Sequence, residues 1–109
     1  NQQKALDLYY ELLALKEPPM RILYLITRQF NLLMQVKELS EEGYSAKTIS
    51  ERLKMAGFIV RNCLRQAEYF SLKTLKEALQ DCVRMEEAVK TGRMNDVMSV
   101  ELLLVKYSS

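Results

Sequence analysis

Histidine is absent from this 109-residue chain, and so is tryptophan. Without imidazole there is no histidine general base, no histidine metal ligand, and no Ser–His or Cys–His nucleophile pair. The two cysteines, Cys63 and Cys82, are too few for a structural zinc site built from thiolates alone. Glycine is scarce as well: Gly43, Gly57 and Gly92 lie too far apart to form a phosphate-cradling loop of the Walker or Rossmann type. No apolar run reaches the roughly 18 residues of a membrane span. No stretch alternates apolar and polar residues, and no Asn-Gly or Asp-Gly hairpin turn appears, so strand signals are missing. Neither sign of charge dominates, with 16 basic and 14 acidic residues and a net charge of +2. The adjacent carboxylate pairs Glu41-Glu42 and Glu86-Glu87 would diverge by about 100° on a helix, which is no acid–base dyad. An enzyme acting through this chain alone is therefore not expected, nor is a cofactor or a metal.

What is present is ordinary globular composition, 49% apolar and 28% charged, enough to bury one core. The opening residues Asn1-Gln2-Gln3-Lys4 have no apolar signal segment and do not begin with Met. They suggest a piece of a longer cytoplasmic protein. Helical periodicity is nearly continuous and is broken by a few clear stops. A first helix from about Gln3 to Lys16 carries two stripes, Leu6-Tyr9-Tyr10-Leu13 and Leu8-Leu12-Leu15. Pro18-Pro19 ends it. The second helix, about Pro19 to Leu39, is apolar around most of its circumference and should be a central, enclosed post, the most buried of the helices, with Leu25, Ile26 and Leu33 not mostly exposed.

After a turn at 40–43, Ser45 caps a short third helix, with Tyr44 and Ile49 as its hydrophobic staple. A fourth helix from Phe58 to about Tyr69 directs Val60, Cys63, Leu64 and Ala67 inward. Ser71 caps the fifth, with Phe70 and Leu75 as the staple. Leu72, Leu75, Leu79, Val83 and Val89 mark its inner face, and Gly92 stops it. Asn95 caps the last helix, whose inner stripe reads Val97-Val100-Leu104. The expected fold is all-α: a single domain, 1–109, of five to six helices in an orthogonal bundle with a long central second helix. Both cysteines fall on apolar stripes and read as buried free thiols. Tyr9, Tyr10, Tyr24, Phe30, Phe58 and Phe70 all read as core or staple residues.

Two features lie outside that core. Between Ser45 and Gln66, five basic residues (Lys47, Arg52, Lys54, Arg61 and Arg65) stand against one acid, Glu51. They occupy a helix–turn–helix outline, which allows a DNA-binding face with phosphate contacts or simply a solvated surface. The second feature is surplus apolar surface. Leu8, Leu12 and Leu15 on the first helix, and Leu102, Leu103, Val105 and Tyr107 on the last, exceed what one inward stripe needs. Leu8, Leu12, Leu15, Leu103 and Tyr107 are the candidate subunit-interface residues, since exposed apolar patches mark interfaces.

The order of these signals is itself informative. Pro19-Met20-Arg21-Ile22-Leu23-Tyr24-Leu25-Ile26 leads through Phe30-Asn31-Leu32-Leu33 to Gly43-Tyr44-Ser45. Ile49-Ser50-Glu51-Arg52-Leu53 follows, then Phe58-Ile59-Val60-Arg61, Gln66-Ala67, and Glu86-Glu87-Ala88-Val89-Lys90-Thr91-Gly92 before the last helix. This succession resembles the C-terminal domain of the delta subunit of the bacterial DNA polymerase III clamp loader, in the form found in Gram-positive bacteria. The chain departs from that pattern at Gly57, where the family commonly has Pro, and at Glu86, where it commonly has Asp. The resemblance implies a longer parent in which two AAA+-type domains precede this helical third domain. It implies an oligomerisation role in a collar that joins delta to the gamma/tau ATPase subunits and delta prime. It also implies that the sliding clamp is contacted by the N-terminal domains, and that the parent is a non-hydrolysing component of the DNA polymerase III holoenzyme.

Overall fold

The structure is a computed structural model that describes residues 2–108, and the side chains of 5–108. Asn1 and Ser109, the ends of the expected domain, lie outside the described residues. Among those described there are six helices and no strand: α1 (Gln2–Ala14), α2 (Pro19–Glu41), α3 (Ala46–Leu53), α4 (Gly57–Ala67), α5 (Leu72–Lys90) and α6 (Asp96–Tyr107).

Local chemistry sets most of the boundaries. The Ser45 side chain accepts from the Thr48 amide at 3.2 Å. Ser71 does the same for Thr74 at 3.0 Å, and Asn95 for Met98 at 3.2 Å. Each side chain satisfies a donor that the first helical turn leaves open. Left-handed residues close several of the opposite ends. Gly92 (φ 75°) donates to the Val89 carbonyl at 3.1 Å while Arg93 donates to Ala88 at 2.8 Å, a Schellman closure. Gly43 (φ 98°) closes α2 in the same way, and Lys16 (φ 64°) closes α1.

The chain forms two compact units, Arg28–Glu77 and Asn1–Thr27 with Ala78–Ser109; α2 and α5 contribute residues to both. In the first, Leu33, Val36, Ile49, Val60, Cys63, Ala67 and Leu75 are buried as one cluster, with Tyr44 and Phe70 packed on it as staples. Phe30 and Phe70 meet edge-on, with ring centres 6.0 Å apart. The last carbonyl of α4, on Ala67, accepts from Lys37 Nζ at 3.1 Å, so a cation from α2 adds a second donor at that helix end.

In the second unit the buried residues are Tyr9, Ile22, Leu23, Ala78, Cys82, Ser99, Val100 and Leu103, and α1 packs against α6. Several expectations are corrected. The buried face of α5 runs through Leu75, Ala78 and Cys82, whereas Val83 is exposed. A stripe drawn through the large residues is turned away from these small buried ones. In α6 the buried set is Ser99, Val100 and Leu103, while Leu104 is only half-buried. In α2, Tyr24 and Leu25 are exposed while Ile22 and Leu23 are buried, so the helix is not enclosed all round. Tyr10 and Phe58 are exposed as well, against the expectation of core positions.

Candidate assembly surface

On α1, Tyr9 faces inward and is 1% exposed. Its hydroxyl donates to the Val97 carbonyl at the start of α6, at 3.1 Å. Burial, reinforced by the carboxylates of Glu101 and Asp96, pushes this phenol up to about 12. With Tyr9 fixing the rotation of α1, the spacing i, i+4, i+7 carries Leu8, Leu12 and Leu15 along another side. Leu8 is 58% and Leu15 76% exposed, and Leu12 between them is half-buried. The ridge read from the sequence is present as an exposed apolar surface.

On α6 the rotation differs from the one hydropathy suggests. Leu103 is 2% exposed and belongs to the core, not to an outward ridge. Tyr107, one turn further on the same side, is half-buried and its hydroxyl donates to Asp81 of α5. The reason is Ser99, which is fully buried because its hydroxyl is satisfied locally, donating to the Asp96 carbonyl at 2.7 Å. Burial of that small residue turns Met98, Leu102 and Val105 outward, and all three are exposed. They repeat at i, i+4 and i+7. Leu102 and Val105 are legible in the sequence as surplus apolar residues; their pairing with Met98 depends on the fate of Ser99.

The basic segment is exposed throughout: Lys47, Arg52, Lys54, Arg61 and Arg65 all reach solvent. The Arg52 guanidinium lies 4.1 Å from the centre of the Tyr44 ring, and Arg65 donates to Asn62. Arg61 folds back beside Gly57, where a Cβ would stand 3.2 Å from its Nη1. The first turn of α4, the part of a recognition helix that reads base edges, presents Phe58 and Ile59, exposed and apolar. It lacks the polar side chains that base-edge hydrogen bonding needs. Among the described residues no group of three or more Cys, Asp or Glu is placed to hold a metal ion, and no helix is long and apolar enough to cross a membrane.

Known proteins share this order of helices. The family model for the C-terminal domain of the DNA polymerase III delta subunit matches residues 1–107. The chain belongs to this family. The DNA polymerase III subunit delta of Bacillus subtilis (strain 168) is 34% identical over 103 residues, which make up 94% of this chain and 30% of that protein. A solved structure, the Bacillus subtilis DNA clamp loader delta protein (YqeN), aligns with a TM-score of 0.88 at 34% identity, over 95% of this chain and 31% of that one. This delta C-terminal domain thus spans under a third of the length of the relatives it matches. Membership accounts for the all-α fold, and it does not favour the helix–turn–helix reading of 45–66.

Proposed function

We propose that this chain is the collar module, the third domain, of a longer clamp-loader delta subunit, and that it holds the subunit in the loader while the sliding clamp is placed on DNA during replication. Its partners are the gamma/tau ATPase subunits and delta prime; the preceding domains meet the clamp, in the cytoplasm. The module works by binding and carries out no step of catalysis itself. The observation that supports this reading is the pair of apolar ridges, Leu8 and Leu12 on α1 with Leu15 just past its end, and Met98-Leu102-Val105 on α6, in a member of the delta family. Two different ridges suit the heterologous contacts of a ring of unlike subunits, since each neighbour meets a different surface.

The test is assembly of the full-length subunit with its loader partners. Leu8→Ser with Leu15→Ser, or Leu102→Ser with Val105→Ser, removes two apolar side chains from a ridge. At about 25 cal/mol per Å² of buried apolar surface, two such losses at an interface centre amount to about 2–4 kcal/mol, or thirty- to several-hundred-fold in affinity. The melting of the chain should hardly change, whereas Leu103→Ser should unfold it. Unaltered assembly by both ridge variants would refute the proposal.

A further inference from the structure

Four of the six helices, α1, α2, α3 and α5, end in a left-handed residue, at Lys16, Gly43, Lys54 and Gly92. The C-terminal cap of α4, Glu68, is right-handed; the amides of Glu68, Tyr69 and Phe70 donate to the last α4 carbonyls, and Lys37 Nζ adds a second donor at Ala67. The C-terminal cap of α6, Ser108, has φ −112° and ψ 18°. The last turn of α6 meets a carboxylate on another helix. Asp81 of α5 accepts from Lys106 Nζ at 2.7 Å and from the Tyr107 hydroxyl, with Arg84 Nη1 at 3.4 Å on its other oxygen.

The surroundings suit a latch. The Asp81 side chain is only 14% exposed while Lys106 is 57% exposed, so the contact with the half-buried Tyr107 hydroxyl, more than the ion pair, is the one shielded from solvent and salt. The other ion pairs among the described residues join positions three or four apart in sequence; Asp81–Lys106 spans 25. Burial pushes the Asp81 carboxyl up, but the hydrogen bonds from Lys106 and Tyr107 and the charges of Lys106 and Arg84 outweigh it, and the net shift is downward. The carboxylate is therefore the form that the cluster holds.

Lys106 and Tyr107 directly follow Val105, the end of the outward ridge. We infer that Asp81 is the positioning residue of the α6 ridge: by anchoring Lys106 and Tyr107 to α5 it fixes the last turn of α6, so that Leu102 and Val105 stand outward in the orientation a partner subunit meets. Asp81 need not touch the partner. This assignment rests on the assembly reading above.

The experiment uses the full-length subunit, its affinity for the partner loader subunits, and amide hydrogen exchange at residues 104–108. Asp81→Asn keeps size and one acceptor but removes the charge. It should speed exchange in the last turn of α6 and weaken assembly about tenfold, with the melting transition little moved. Asp81→Glu should restore most of the affinity. Tyr107→Phe, which keeps the ring in place, should weaken assembly about threefold, and its effect should largely vanish in the Asp81→Asn background because both act through one contact. Full assembly by Asp81→Asn would overturn the assignment, whether or not exchange rises. If Asp81→Asn fails to fold, Tyr107→Phe decides in the same way. The Leu102→Ser, Val105→Ser variant separates the two readings. If it loses assembly while Asp81→Asn does not, only the latch fails; if it assembles normally, the ridge itself is refuted and the latch with it.

Discussion

Replacing Tyr9 by phenylalanine should do two opposite things, and pH separates them. At neutral pH the change deletes a single hydroxyl whose hydrogen bond to the Val97 carbonyl ties α1 to α6 and leaves a 1%-exposed ring in place. A neutral intramolecular hydrogen bond is worth about 1 kcal/mol net, or about 4 °C of melting temperature for a chain of this size. In alkali the sign changes. The Tyr9 phenol is raised from 10.0 to about 12, so above pH 10 the unfolded chain releases a proton that the folded chain keeps. A raised pKa contributes stability that is fully present below the unfolded value and is lost as pH climbs through the folded one. Over that window the native protein should lose about 2–3 kcal/mol through this group, whereas the Tyr9→Phe variant has nothing to ionise there. Urea unfolding followed by helical circular dichroism should find the variant less stable at pH 7 and more stable near pH 12, with the curves crossing between pH 10 and 12. The other tyrosines are common to both proteins and drop out of the difference. Parallel curves across the alkaline range would refute the geometry assigned to Tyr9.

Backbone conformation gives a further pair of expectations. Gly92→Ala should destabilise the chain by about 1 kcal/mol, because φ is 75° although the space around it is open. Lys54→Gly should stabilise it by up to about 1 kcal/mol, because a left-handed strain at φ 54° is relieved at a smaller cost in unfolded-state entropy; urea melts check both, and shifts in the reverse directions would contradict the turn geometry. Cys63 and Cys82 are buried free thiols whose pKa values burial pushes up. Labelling with a thiol reagent should therefore proceed only as fast as the chain opens, and fast labelling with full helicity retained would place them at the surface.

The parts of the fold that can be read directly from the residues are those governed by neighbours in sequence. Ser45, Ser71 and Asn95 cap because a short side-chain acceptor three residues before an open amide is a local fact, and all three make that bond. Pro19 begins a helix and Gly43 and Gly92 end two for reasons equally local. Which face of a helix is buried is not local. Hydropathy weights Val83 above Ala78, yet Ala78 is the one that is buried. Tyr24 and Leu25 show the converse. An apolar circumference points to full enclosure, yet the few helices of one small unit leave part of α2 uncovered.

The same distinction separates the two ridges. On α1 polar residues mark the boundary: Asp7 and Glu11 are exposed and lie opposite the buried Tyr9, so the ridge of Leu8 and Leu12 between those two sides is identifiable from the pattern. On α6 the run Leu102-Leu103-Leu104-Val105 offers no such contrast, and its rotation is set by a serine that hydropathy counts as polar. Ser99 can be buried because its hydroxyl finds the Asp96 carbonyl one turn back, and that bond decides that Leu103 points in and Leu102 out. Asp81 is harder still to recognise. It sits beside Cys82 in an unremarkable helical stretch, and its partners lie 25 and 26 positions away, so no spacing rule connects them. A helix apolar on every side has many rotations of similar hydrophobic gain. What distinguishes them is polar satisfaction, at Ser99 on one end of α6 and at Asp81 on the other. On the assembly reading proposed above, both sites act on one degree of freedom, the rotation of α6, and that rotation would determine whether Leu102 and Val105 are available to a neighbouring subunit.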